Sequence, residues 1–136
     1  LFHGYADTNV IADFGDVADL EAKVEEKNVY GNCKYIVSPK AKAKLRSTIK
    51  GTAGVGMILE NGAIDGTEAL ATSNVPTGKM LYGDFSNLVI GQWDSVILDV
   101  VRDTDSLANG CVTIVCNAYF DAKVAREGAI VAANVQ

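Results

Sequence analysis

The chain reads as an α+β domain in which helices pack on a mixed, mostly antiparallel sheet. Three observations predict this. Helical periodicity is confined to the early part of the chain, β-branched runs dominate the later part, and no internal repeat or low-complexity linker interrupts them. With 136 residues, 49% of them apolar and 21% charged, the composition is that of one compact globular domain.

Val17, Leu20 and Val24 form a helical stripe that begins after Asp16, with Asp19 and Glu21 in the early turns where the helix dipole favours carboxylates. The spacing predicts a helix from Asp16 to Lys27. Residues 28–32 have turn composition, and Cys33 to Val37 read as a short strand. That strand stops at Ser38-Pro39, a capping residue followed by proline at the first helical position, which predicts a second helix to Ile49. Ala41, Leu45 and Ile49 give it an apolar side. Lys40, Lys42, Lys44, Arg46 and Lys50 cover the rest, as a solvated face or as a contact for a neighbouring subunit's acidic residues.

A flexible loop, Gly51-Thr52-Ala53-Gly54-Val55-Gly56, comes next. Met57 to Leu59 then meets the turn Glu60-Asn61-Gly62, which reads as a hairpin. Short strands are expected at Thr67–Thr72, Leu88–Ile90 and Val96–Val101, a turn over 103–110, and the longest strand from Cys111 to Phe120. Gly83 and Gly91 are expected at tight turns or close backbone approaches, and Phe85 and Trp93 in the core.

Fragments of catalytic motifs occur without their partners. Asp13-Phe14-Gly15 lacks the glycine-rich loop, strand lysine and catalytic loop of a kinase. The 51–56 loop has Lys50 before its glycines, and no Gly-Lys-Ser/Thr follows. Asp103 and Asp105 begin like a calcium loop, but Leu107 and Ala108 stand where a ligand and the turn glycine belong. His3 is the only histidine, and one histidine with three cysteines in unpaired spacing does not make a zinc site. Catalytic, cofactor and metal residues are therefore expected to be none, and the chain is not read as an enzyme.

A net charge of −5 and a pI near 4.7 argue against nucleic acid as a main partner. No apolar run reaches the roughly 18 residues of a membrane span. Cys111 and Cys116, five apart on an expected strand, face opposite sides, so buried free thiols are expected. A chain that starts at Leu1 is read as a fragment or a processed product.

Two stretches carry a family resemblance. One runs from Pro76 through Gly83-Asp84-Phe85-Ser86 to Trp93; the other runs from Gly110 through Ala118-Tyr119-Phe120-Asp121 to Ala133. Together with the order of the two helices and the Asn74-Val75-Pro76 turn, they resemble the C-terminal half of tailed-bacteriophage major capsid proteins of the Hong Kong ninety-seven type. The resemblance covers nearly the whole chain, and Gly83-Asp84-Phe85-Ser86, a corner that leads into an apolar strand, is its most specific part. It implies a C-terminal fragment of a larger capsid subunit, comprising the axial domain and the closing strands of the peripheral domain. It also implies a structural role: homo-oligomeric assembly through pentamers and hexamers into an icosahedral shell in the virion, built in a bacterial cytoplasm, with scaffold or maturation protease as further partners. Gly51, Thr52, Gly54, Gly56, Asn61, Gly62 and Asp65 are the expected subunit-contact residues. An encapsulin-like compartment shell is the alternative, followed by a small-molecule-binding domain.

Overall fold

A computed structural model of the chain describes residues 9–51, 56–102 and 104–136. Strand β1 (Asn9–Ile11) leads into helix α1 (Phe14–Glu25), and β2 (Lys34–Val37) into α2 (Pro39–Leu45). A meander of β3 (Leu59–Glu60), β4 (Ala63–Ile64) and β5 (Thr67–Ala71) follows. The chain continues through β6 (Lys79–Gly83), one 3-10 turn (Phe85–Asn87), β7 (Leu88–Val101), α3 (Thr104–Ala108), β8 (Thr113–Val124) and β9 (Ile130–Val135). It divides into two compact units: the residues up to Asn87 together with Val124–Gln136, and Leu88–Lys123.

The first unit is built on a mixed seven-stranded sheet in the order β1-β9-β6-β2-β5-β4-β3. β1 pairs parallel with β9 and β2 parallel with β5, while β2/β6, β6/β9, β3/β4 and β4/β5 are antiparallel. The crossovers from β1 to β2 and from β2 to β5 run the same way along this order. Right-handed connections therefore place α1 and α2 on one face of the sheet. The core agrees, since Val17, Leu20 and Val24 of α1 and Leu45 of α2 join one buried cluster with Tyr35, Val37, Ala69, Met80 and Ala133.

Helix α1 starts earlier than the spacing alone predicts, because Asp13 rather than Asp16 is the cap. Asp13 Oδ1 accepts from the Asp16 backbone N–H at 3.1 Å, and Asp16 Oδ2 returns to the Ala12 and Asp13 N–H groups at 2.8 and 3.1 Å. Those bonds, Ala12 first and Asp13 second, hold the Asp16 carboxyl below its ordinary range. The Asp-Phe-Gly tripeptide is a helix start.

Ser38 caps α2 as expected. Its buried Oγ accepts from the N–H of Ala41 at 3.3 Å and of Gly78 at 3.0 Å, tying the helix to the turn before β6. The helix ends at Leu45 instead of Ile49. Ser47 and Thr48 hydroxyls both return to the Lys44 carbonyl, at 2.7 and 3.0 Å, and Ile49 leaves to pair with Met57.

The Gly83-Asp84-Phe85-Ser86 stretch is the expected corner. β6 stops at Gly83, where a Cβ would stand 2.1 Å from the Ala129 carbonyl oxygen and φ is +152°. Asp84 then binds the 3-10 turn, accepting from Ser86 N–H at 3.0 Å and from Asn87 Nδ2 at 3.2 Å. Gly91 differs from Gly83, as nothing lies within 4 Å of its Cβ position.

The second unit is a two-stranded sheet of β7 and β8. The two strands expected at 88–90 and 96–101 are one, because Asp94 absorbs the break with φ +66° and a carboxylate that accepts from Ser95 N–H at 2.8 Å. The turn expected over 103–110 contains the five-residue helix α3. β8 begins two residues after Cys111 and runs on to Val124, and β7 is longer still. Trp93 is 61% exposed, not in the core, and Cys111 and Cys116 are exposed thiols. A lone two-stranded sheet has no second layer to bury them. Cys33 is half-buried, and all three cysteines are free.

Candidate functional site

The expected contact residues fall on two connections of the first unit. Thr52 and Gly54 lie outside the described residues. Gly51 and Gly56 flank them, and the loop is closed by the Ile49–Met57 bridge, Lys50 N–H to the Gly56 carbonyl at 2.9 Å and Ile58 N–H to the Thr48 carbonyl at 2.9 Å. Glu60 Oε1 accepts from Met57 N–H at 2.7 Å, which fixes the way into β3.

Asn61 and Gly62 join β3 to β4 with φ of +51° and +81°, both positive as a type I′ hairpin turn requires. Asp65 and Gly66 repeat the device between β4 and β5 with φ of +48° and +85°. This second hairpin was not anticipated, although an Asp-Gly pair between Ile64 and Thr67 is the signal for it. Gly51, Asn61, Gly62 and Asp65 are exposed and Gly56 is half-buried.

One ion pair links the two connections. Lys50, just before Gly51, reaches Asp65 Oδ1 at 3.2 Å and also lies over the Phe14 ring, 5.0 Å from its centroid. A partly exposed pair of this kind contributes under about 1 kcal/mol, so it sets position more than stability. The surface thus offers backbone groups in fixed turns, one carboxylate and one lysine.

Two buried tyrosines are held in their neutral form. The Tyr35 hydroxyl donates to Glu21, and burial followed by that bond raises its ionisation far above the ordinary phenol value. Tyr82, its ring 4.5 Å from that of Tyr35, is raised first by burial as well. Both stay protonated near neutral pH. Among the described residues, no three of His, Cys, Asp and Glu are grouped to hold a metal, and no helix is long and apolar enough to cross a membrane. His3 and Asp103 lie outside the described residues, and Asp105 sits in the first turn of α3.

The model of the phage capsid family matches residues 3–135. The chain belongs to the phage capsid family. This capsid-family chain is similar in structure to a protein of Mycobacterium phage Che8, with a TM-score of 0.71 and 15% identity over 96% of this chain and 53% of that one. It is also similar to the capsid of an empty GTA particle computed with C5 symmetry, with a TM-score of 0.63 and 21% identity over 88% of this chain and 43% of that one. A chain in the satellite phage P4 procapsid that includes size determination (Sid) protein matches with a TM-score of 0.58 and 17% identity, over 96% and 49%. The chain therefore spans about half the length of these structures. At such identities the likeness shows the α+β capsid fold. No curated protein sequence matches the chain.

Proposed function

We propose that this chain is the C-terminal part of a major capsid subunit that self-assembles through pentamers and hexamers into the icosahedral head shell of a tailed phage or prophage. The observation that carries the reading is the family match over residues 3–135, which leaves almost no part of the chain outside the capsid family. The role is mechanical and the chain catalyses no reaction. Tyrosines held protonated and a candidate surface made of turns support that, because neither provides a nucleophile with its base.

On this reading the first unit is the axial domain, and the hairpin 88–123 belongs to the peripheral domain. Gly51, Thr52, Gly54, Gly56, Asn61, Gly62 and Asp65 meet neighbouring copies around a symmetry axis. Repeated modest contacts suit a closed shell, since avidity within the lattice supplies the stability that each contact lacks. A chain of net charge −5 suits an inner wall that releases DNA. Scaffold and maturation protease are the further partners. The phage and capsid particles among the structural neighbours favour a phage shell over an encapsulin-like compartment.

Negative-stain electron microscopy of the longest natural product, purified from an expressing cell, tests the reading. Round or angular shells, or rings of pentamers and hexamers, are expected, with packaged DNA inside a phage head. A small monodisperse particle under every salt and scaffold condition would overturn it.

A further inference from the structure

The two helices on one face of the sheet carry opposite charge. Residues 13–27, α1 with its caps, hold six carboxylates and two lysines, while residues 38–50, α2 and its exit, hold four lysines, one arginine and no carboxylate. α1 lies against β1, β9 and β6, and α2 also packs on β9. The chain leaving α2 leads to β3, β4 and β5 at one end of the sheet order.

Several charges elsewhere in this unit have partners within the chain. Lys34 pairs with Glu68 at 2.6 Å, Lys50 with Asp65 at 3.2 Å, Lys23 bonds Asn9, and Arg126 donates to the Lys27 and Asn28 carbonyls at 2.6 and 3.2 Å. By contrast, the side chains of Lys40, Lys42, Lys44 and Arg46 meet no acidic side chain among the described residues. Lys40, Lys44 and Arg46 are exposed. On α1, Asp19, Glu25 and Glu26 are likewise exposed and without a cation among the described residues. One chain thus presents an unneutralised basic helix and an unneutralised acidic helix on one face of its sheet.

We infer that the basic face of α2 docks on the acidic face of α1 of a second copy of this chain, in a head-to-tail contact that repeats around a ring. The inference rests on the shell reading and names the surfaces that contact would use. A head-to-tail contact needs two different, complementary patches on each copy, and this layer supplies both. A nucleic-acid backbone would also attract α2, but the α1 carboxylates on the same layer and the net charge of −5 oppose it.

Charge reversal on the longest natural product tests the contact. One variant carries Lys40→Glu, Lys44→Glu and Arg46→Glu; a second carries Asp19→Lys, Glu25→Lys and Glu26→Lys; a third carries all six. Thermal melting of each checks that it folds, and sedimentation follows assembly. Each single-helix reversal is expected to raise the concentration for half-assembly about tenfold or more, because it turns attraction into repulsion. The six-fold variant, and an equimolar mixture of the first two, are expected to return to within about threefold of the parent. Folded reversals that assemble like the parent would overturn the inference, as would folded reversals that neither mixing nor the six-fold exchange rescues. Loss of salt-sensitive DNA binding by the α2 variant, with assembly unchanged, would assign the face to nucleic acid and overturn it as well. A parent that forms no shell or ring overturns the shell reading itself. A parent that assembles while rescue fails removes only this contact.

Discussion

At Gly83 the identity of the residue is dictated by a neighbour far along the chain. A Cβ there would stand 2.1 Å from the Ala129 oxygen and 2.7 Å from the Ile130 Cα, in a backbone region that other residues avoid. Gly83→Ala is expected to cost about 2–4 kcal/mol of stability, read by urea denaturation. Gly91→Ala should change it by less than about 1 kcal/mol, since its Cβ position faces open space. Both glycines have the same meaning when read locally, because the constraint on Gly83 comes from β9. Tyr35 is a second case. Its folded ionisation is raised above the unfolded value near 10, so its contribution is complete below that pH and is lost as pH rises further. Tyr35→Phe is expected to cost about 1–2 kcal/mol at neutral pH, where the bond to Glu21 is lost. The difference between the two proteins should narrow in melts above about pH 10, an outcome that a steady difference across alkaline pH would rule out.

Among elements, those that carry their own boundary signals were legible. Ser38-Pro39 starts α2, and Asn61-Gly62 turns β3 into β4, because a cap or a positive φ is decided by adjacent residues. The Lys50–Asp65 pair that joins the two candidate connections was not legible, since it depends on how the meander folds back. The long hairpin misled in a different way. Its strands are as apolar as core strands, yet Ile90, Trp93, Leu98, Ile114 and Phe120 are each more than 60% exposed. Alternation and β-branching report that a strand buries itself, and leave open whether its own unit supplies the cover. A two-stranded sheet without a packed face is marginal in water. A peptide of residues 88–123 is therefore expected to show coil-like circular dichroism at micromolar concentration, whereas a stable monomeric hairpin would show that the exposed side chains need no cover.

For the whole molecule, the order of helices and strands was enough to give an α+β fold but not its topology. The pairing of β1 with β9 unites the two ends of the described chain, and no local pattern in Asn9–Ile11 announces it. Likewise, the residues that define the core come from both sides of the long hairpin, which enters and leaves the first unit at a single place. Asn87 accepts there from the Ala125 N–H at 2.8 Å, so the chain is already closed at the point where the excursion begins. Replacing residues 88–123 by a short glycine-containing loop is expected to leave a folded unit whose melting transition stays cooperative, and a non-cooperative melt would count against this. If the splice holds, β7 and β8 can be lengthened, shortened or exchanged for foreign sequence across a lineage while every register in the seven-stranded sheet stays fixed. Shells of different curvature could then be explored by editing one insertion rather than by redesigning a fold.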